Sequence, residues 1–199
     1  MTAKVHLIRH CAHDDVGQVL SGRSARSPLS AKGRAQAQWL AAHFALGEPI
    51  AAIHSSPRER AQATAEIIGR RIGTPVQVVD ALDEIEFGAW TGRSFAELER
   101  EPEWHAWNRE RSVTRPPNGE NMDEATARAV GHLDGLVARS WNGTLLCVSH
   151  CDIIRGIVAH YLGLATDRLL AFDVDPGSVS TLLLGNWGSR LLKLNGGQE

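Results

Sequence analysis

The chain has 199 residues, the size of one ordinary domain, so a single domain over residues 1–199 with a sizeable buried core is expected. Hydrophobic residues make up 43% and charged residues 22%, which excludes a disordered chain, and a net charge of −2 with interleaved signs argues against a nucleic-acid surface or a polybasic membrane face. No apolar run approaches the ~20 residues that span a bilayer. The N-terminus shows no basic region leading into a long apolar stretch, and three cysteines make no disulfide framework, so a cytoplasmic enzyme is the expectation.

Val5-His6-Leu7-Ile8 is a short apolar run that stops at Arg9-His10, the pattern of a buried strand ending in polar residues. Residues 11–29 are rich in Gly, Ser, Asp and Arg without periodicity, and a loop that long is usually functional. Ser30 opens a helix with Ala37, Leu40, Ala41 and Phe44 at i, i+3, i+4 and i+7. A second strand covers residues 50–54. Ser56-Pro57-Arg58-Glu59 predicts a helix start, with Ser56 and Glu59 at capping-box spacing and Pro57 at the first helical position. Ala61, Thr64, Ala65 and Ile68 form its apolar stripe, Gly73 ends it, and residues 76–79 read as a third strand.

Residues 82–119 are irregular and aromatic, with Trp90, Phe95, Trp104 and Trp107. Short helices are expected there, one opened by a Ser94/Glu97 capping box, forming a helical insert at about 90–118 that covers the site. Arg115-Pro116-Pro117-Asn118-Gly119 reads as a turn. Met122, Ala125, Ala129, Leu133 and Leu136 stripe a long helix, which Asn121 and Glu124 cap. Residues 144–149 form an apolar strand that again ends at a histidine, and Ile153, Ile154, Ile157, Val158 and Tyr161 stripe the next helix. Residues 180–184 and 190–194 look like a closing hairpin. Strands alternating with helices imply an α/β fold, a three-layer α/β/α sandwich with a mainly parallel sheet.

Ligands of open α/β sheets bind beyond the carboxyl ends of the strands. The residues just after each strand are Arg9-His10, the 56–60 segment, Glu84 and Ser149-His150. Two histidines, two arginines and a carboxylate on one rim suit phosphoryl transfer. Guanidinium forks match phosphate oxygens, a neutral imidazole is a competent nucleophile, and a protonated carboxyl can supply a proton to the leaving oxygen.

Leu7-Ile8-Arg9-His10 resembles the signature of the histidine phosphatase superfamily, the phosphoglycerate-mutase-like fold. The remaining blocks follow in that family's order: Ser21-Gly22 with Pro28-Leu29-Ser30, Ser55-Ser56-Pro57 with Arg60-Ala61 and Thr64-Ala65, Leu82-Asp83-Glu84 with Phe87-Gly88, Gly119-Glu120, and Val148-Ser149-His150. The resemblance implies that His10 is the nucleophile that becomes phosphohistidine. It implies that Arg9, Arg60 and His150 bind the phosphoryl group and that Glu84 is the proton donor. Ser21, Gly22 and Cys151 then fall among the substrate-binding positions. It also implies a small phosphorylated substrate and no metal or other cofactor; the charge pattern already argues against a nucleic-acid or membrane partner, and the oligomeric state is open, a homodimer being one option. Cys11 and Cys151 stand where the family has glycine after each catalytic histidine, and Asn121 replaces a serine.

Other chemistries fit less well. A cysteine phosphatase needs Cys and Arg separated by five residues, but Gly17, Ile153 and Ile157 stand there for Cys11, Cys147 and Cys151, and no Gly-Lys-Ser/Thr loop is present. Asp173-Val174-Asp175 lies too late in the chain for an aspartate-based phosphatase. His10-Cys11 and His150-Cys151 carry zinc-ligand types, though adjacent residues of an extended chain point apart. The expectation is a phosphomonoesterase acting on a small phosphorylated metabolite, with a phosphoglycerate-type mutase or a protein phosphohistidine phosphatase as the alternatives. Arg100, Arg109, Arg111 and Arg115 of the insert are expected to be available to an anionic substrate. Cys11 and Cys151 either fill space behind the histidines or, with lowered thiol pKa values from nearby arginines, react with oxidants and with each other.

Overall fold

The computed structural model describes residues 2–24, 26–139 and 141–197. Its core is a six-stranded sheet in the order β3-β2-β4-β1-β5-β6. β1 (Thr2–Arg9), β2 (Ala52–Ser55), β3 (Val76–Val78) and β4 (Gly143–Ser149) run parallel, and β5 (Val179–Gly185) and β6 (Gly188–Gly196) add an antiparallel hairpin beside β1. This is the expected three-layer α/β/α arrangement. α1 (Ala31–Ala45) and α2 (Glu59–Ile72) cover one face, packing Ala37, Leu40, Phe44, Ala61 and Ile68 against Ile8, Ile53, Leu146 and Val148. α5 (Met122–Ala138) and α6 (Cys151–Leu162) cover the other, where Met122, Ala129, Leu133, Ile154 and Ile157 meet Val5, Leu7, Leu145 and Leu182. The alternation of β1 and β4 side chains between the two clusters is the period-2 consequence of a strand buried on both faces.

Between β3 and α5 the chain forms short 3-10 turns, α3 (Phe95–Leu98) and α4 (Pro102–Arg109). Trp90, Trp104 and Trp107 are buried there, and Trp90 meets the other two edge-to-face with ring centres 5.5 and 6.3 Å apart. Such edge-to-face packing aligns ring quadrupoles and locks the insert onto the α5/α6 face. Ser94 with Glu97, and Asn121 with Glu124, make reciprocal capping boxes.

The start of α2 differs from its sequence pattern. Its N-cap is Arg58, no side chain caps it, and the helix begins at Glu59. Ser56 Oγ instead accepts from Arg58 N (3.2 Å) and bonds His150 (2.7 Å). A hydroxyl engaged by the neighbouring strand's histidine is not free to cap, so the helix opens later.

Candidate active site

β1 and β4 are paired in parallel with Arg9 opposite Ser149, so both chains leave the sheet at the same level. His10 N donates to Ser149 O (2.9 Å), which holds the two exits together. The imidazoles that follow, His10 and His150, lie 5.2 Å apart between ring centres. Ser149 Oγ donates to Leu82 O (2.7 Å) and so pins the segment that carries Glu84. The Glu84 backbone is held from both sides. Its N–H donates to Asp83 Oδ1 (2.7 Å), and its carbonyl accepts from Arg23 Nε (2.8 Å) and Arg128 Nη2 (3.0 Å).

A cavity of about 240 Å³ opens at this rim, lined by Arg9, His10, Ser21, Gly22, Arg60, Glu84 and Cys151 among others. Seven of the eight residues named from sequence therefore share one wall. His150 is the exception: it is fully buried behind the lining and meets the cavity through its neighbours. Its Nδ1 accepts from Arg60 Nη2 (3.1 Å), so the proton sits on Nε2, which donates to Ser56 Oγ (2.7 Å).

His10 Nδ1 donates to its neighbour's carbonyl, Cys11 O (2.9 Å). A carbonyl only accepts, so this bond fixes the tautomer and leaves the lone pair on Nε2. Burial, together with Arg60 and Arg9, holds His10 well below the usual histidine range, so it is neutral at working pH. His150 is held down in the same way. Glu84 goes the opposite way: burial pushes its carboxyl up to about 7, against the opposing pull of Arg60. Its Oε2 lies 3.8 Å from Arg60 Nη2 and 3.5 Å from His150 Nδ1. Arg60 is almost wholly buried and donates to Ser27 Oγ (3.0 Å) and Gly22 O (2.8 Å). Arg58, the other arginine of that block, turns away to Asp83 (2.8 Å). Arg9 Nη1 donates to Val174 O (2.7 Å). Arg9 Nε, Arg60 Nε and Ser21 Oγ are buried without partners, a set of donors with room for an anion's oxygens.

The insert contributes Phe95, Trp104 and Arg111 to the cavity wall. Of the four insert arginines expected to serve an anionic substrate, Arg111 alone lines it. Arg109 is exposed beside Glu110, and Arg115 is paired with Glu124 (2.6 Å) on the surface. Of the two readings of the cysteines the space-filling one fits, and the lowered thiol pKa values expected from nearby arginines are corrected. Cys11 packs in the α1/α2 cluster and Cys151 against the α5/α6 cluster, on opposite faces of the sheet. Burial pushes the Cys11 thiol up to about 12 and the Cys151 thiol up to about 11, because desolvation outweighs the nearby arginines. The same divergence separates the two His-Cys pairs, and no cluster of three His, Cys, Asp or Glu side chains suited to a metal occurs among the described residues.

His13 was missed from sequence. It is buried, lines the cavity, lies 5.3 Å from the His10 ring, and is pulled down to about 4, chiefly by burial. Asp152 and Arg155, in the first turns of α6, also line the cavity. Their i, i+3 spacing just after a strand-end histidine was the available signal.

A family model for the histidine phosphatase superfamily (branch 1) matches residues 5–196. Phosphoserine phosphatase 1 of Hydrogenobacter thermophilus is 30% identical over 195 residues, covering 96% of this chain and 92% of that protein. The adenosylcobalamin/alpha-ribazole phosphatase of Escherichia coli is 30% identical over 196 residues, covering 96% and 95%. A Mycobacterium tuberculosis protein named as bifunctional is 36% identical over 154 residues, or 76% of this chain; the match spans only 42% of that longer relative. Among solved structures, a mycobacterial glucosyl-3-phosphoglycerate phosphatase superposes with a TM-score of 0.87 at 27% identity, covering 98% of this chain and 100% of that one. Matched by the family model from its first strand to its last, and by full-length relatives at 30% identity, the chain belongs to the histidine phosphatase superfamily.

Proposed function

We propose that the chain is a metal-independent phosphomonoesterase that hydrolyses a small phosphorylated metabolite through a phosphohistidine on His10. The observation that carries this reading is the inverted pair of protonation states at the cavity. His10 is held neutral with its lone pair on Nε2, while Glu84, on the wall of the same cavity, is still protonated up to about pH 7. A nucleophile and an acid are thus both in their working forms over the same pH range.

Arg9 and Arg60 take the phosphoryl oxygens, and Ser21 Oγ supplies a further donor. His10 Nε2 attacks phosphorus, the phosphorus–ester oxygen bond breaks, and Glu84 passes its proton to the leaving alkoxide. Glu84, now a carboxylate, takes a proton from water as the water oxygen attacks phosphorus. The phosphorus–Nε2 bond breaks and inorganic phosphate leaves. His150, through Arg60, keeps that guanidinium aimed at the phosphoryl group. The phosphatase names of the relatives favour hydrolysis over phosphoryl transfer between two hydroxyls. The test is phosphate release from a panel of phosphorylated metabolites in the presence of EDTA. Release by the wild type and none by His10→Ala is expected; equal release by both, or loss on chelation restored by one divalent ion, contradicts the reading.

A further inference from the structure

Four arginines line the cavity, and they fall into two electrostatic classes. Arg111 and Arg155 are already committed. Arg111 Nη1 donates to Asp152 Oδ2 (2.8 Å) and Nη2 to Asn108 Oδ1 (2.7 Å), and the guanidinium lies 5.4 Å from the Trp107 ring centre. Arg155 donates Nε to Phe172 O (3.0 Å), Nη1 to Asp152 Oδ1 (3.4 Å) and Nη2 to Asp173 Oδ1 (3.3 Å). Asp152 is their buried counter-ion. Burial pushes its carboxyl up, but Arg111 and Arg155 outweigh that and hold it below the usual carboxylate range, so it is ionised.

Arg9 and Arg60 are in a different position. Among the described residues, the one carboxylate within 4.0 Å of either is Glu84, 3.8 Å from Arg60, and burial keeps Glu84 protonated below about pH 7. These two arginines therefore carry two uncompensated positive charges, the number that a phosphoryl dianion matches. Asp152 and Asp173 together balance Arg111 and Arg155, so once the phosphoryl dianion meets Arg9 and Arg60 every charge on the wall has a partner. A leaving group with its own carboxylate finds no spare cation and meets the ionised Asp152, and burying an unpaired charge is strongly unfavourable. The rest of the wall is apolar, with Val19, Leu20, Phe87, Phe95 and Trp104. Arg111 Nε, buried without a partner, is a donor that a neutral hydroxyl satisfies.

We infer that the substrate carries an uncharged leaving alcohol that packs against Phe95 and Trp104, and that Asp152, by pairing with Arg111 and sharing Arg155 with Asp173, excludes phosphates bearing a carboxylate. This rests on the phosphomonoesterase reading and adds a specificity-determining residue to it.

The test compares matched pairs that differ in the carboxylate: glycerol 3-phosphate against 3-phosphoglycerate, and phenyl phosphate against 3-carboxyphenyl phosphate. The ratio of kcat/KM within a pair cancels effects on the chemical step. The wild type should favour the neutral member by roughly tenfold or more in both pairs, and Asp152→Asn should narrow the gap about tenfold by raising the carboxylate member. A wild-type preference for the carboxylate member overturns the inference, and so does a ratio unchanged in Asp152→Asn. If Asp152→Asn does not fold, the wild-type ratios alone decide. Release from none of the four compounds, nor from p-nitrophenyl phosphate, contradicts the phosphatase reading itself.

Discussion

Replacing Glu84 by glutamine keeps the side chain's size and removes its proton. In the native site burial raises this carboxyl to about 7. About nine in ten molecules then hold the proton at pH 6 and about one in ten at pH 8. Turnover of an alkyl phosphate should fall about tenfold per pH unit above 7. The acid limb should lie well under 6.5, where His10 finally protonates. General acid catalysis contributes about 10²–10⁴-fold, or about 3–5 kcal/mol of barrier, and Glu84→Gln should lose that much on an alkyl phosphate. On p-nitrophenyl phosphate, whose leaving group needs no proton, the loss should shrink to about tenfold or less. The alkaline limb near pH 7 should vanish from the variant while the acid limb remains. The same substitution carries a stability signature. The folded pKa is raised above the unfolded value of 4.5, so the native carboxyl opposes folding as pH rises from 4.5 through 7. Glu84→Gln should therefore be the more stable protein at pH 8, by up to roughly 3 kcal/mol. The assay is steady-state phosphate release between pH 4 and 9 for both substrates, with urea denaturation at pH 8. A variant that keeps alkyl phosphatase activity and an unchanged alkaline limb refutes Glu84 as the acid.

Ser56→Ala leaves the His150 Nε2–H buried without an acceptor, which costs about 1–3 kcal/mol, and loosens the ring that bonds Arg60; chemical denaturation and kcat should both fall, whereas unchanged values in both would show that the 2.7 Å contact does nothing. Gly33→Ala drives a Cβ into the Ala12 carbonyl, which already accepts from Ser30, so Tm should drop by the equivalent of about 1–3 kcal/mol; a neutral Tm would mean that the loop after His10 yields freely. His13 and His54 are both depressed to about 4 by burial, so the folded state binds fewer protons than the unfolded one between about 4 and 6.5. The two histidines should cost roughly 4–5 kcal/mol as pH drops through that window and Glu84 should return about 2, a net fall of roughly 2–3 kcal/mol; urea midpoints that stay flat from pH 6.5 to 4.5 would contradict this.

β1 and β4 were legible because each is an apolar run that stops abruptly at polar residues, and the strand-end rule then brought His10, His150, Arg60 and Glu84 together without tertiary information. The capping boxes at Ser94 and Asn121 were legible too, since their partners lie three residues away. What sequence hid depends on partners distant in the chain. Ser56 has the spacing of a cap, but its hydroxyl goes to His150, 94 residues on. Arg111 looks like one of several spare cations until Asp152, 41 residues later, is seen to neutralise it. The space-filling reading of Cys11 and Cys151 fits, but the lowered thiol pKa values do not, because burial, which no local pattern displays, outweighs the nearby arginines at both thiols. His13 escaped notice because it stands in an aperiodic loop, and only the turn back towards Leu29 carries it to within 5.3 Å of the His10 ring.

The most direct test is to look for the covalent intermediate. Enzyme mixed with a ³²P-labelled substrate and quenched within milliseconds in alkaline denaturant should hold one phosphoryl group per active chain. That label should survive alkali, be lost in acid, map by mass spectrometry to the peptide containing His10, and be absent from His10→Ala. Label on any other residue, or turnover with neither label nor a phosphate burst while His10→Ala remains active, would contradict the account.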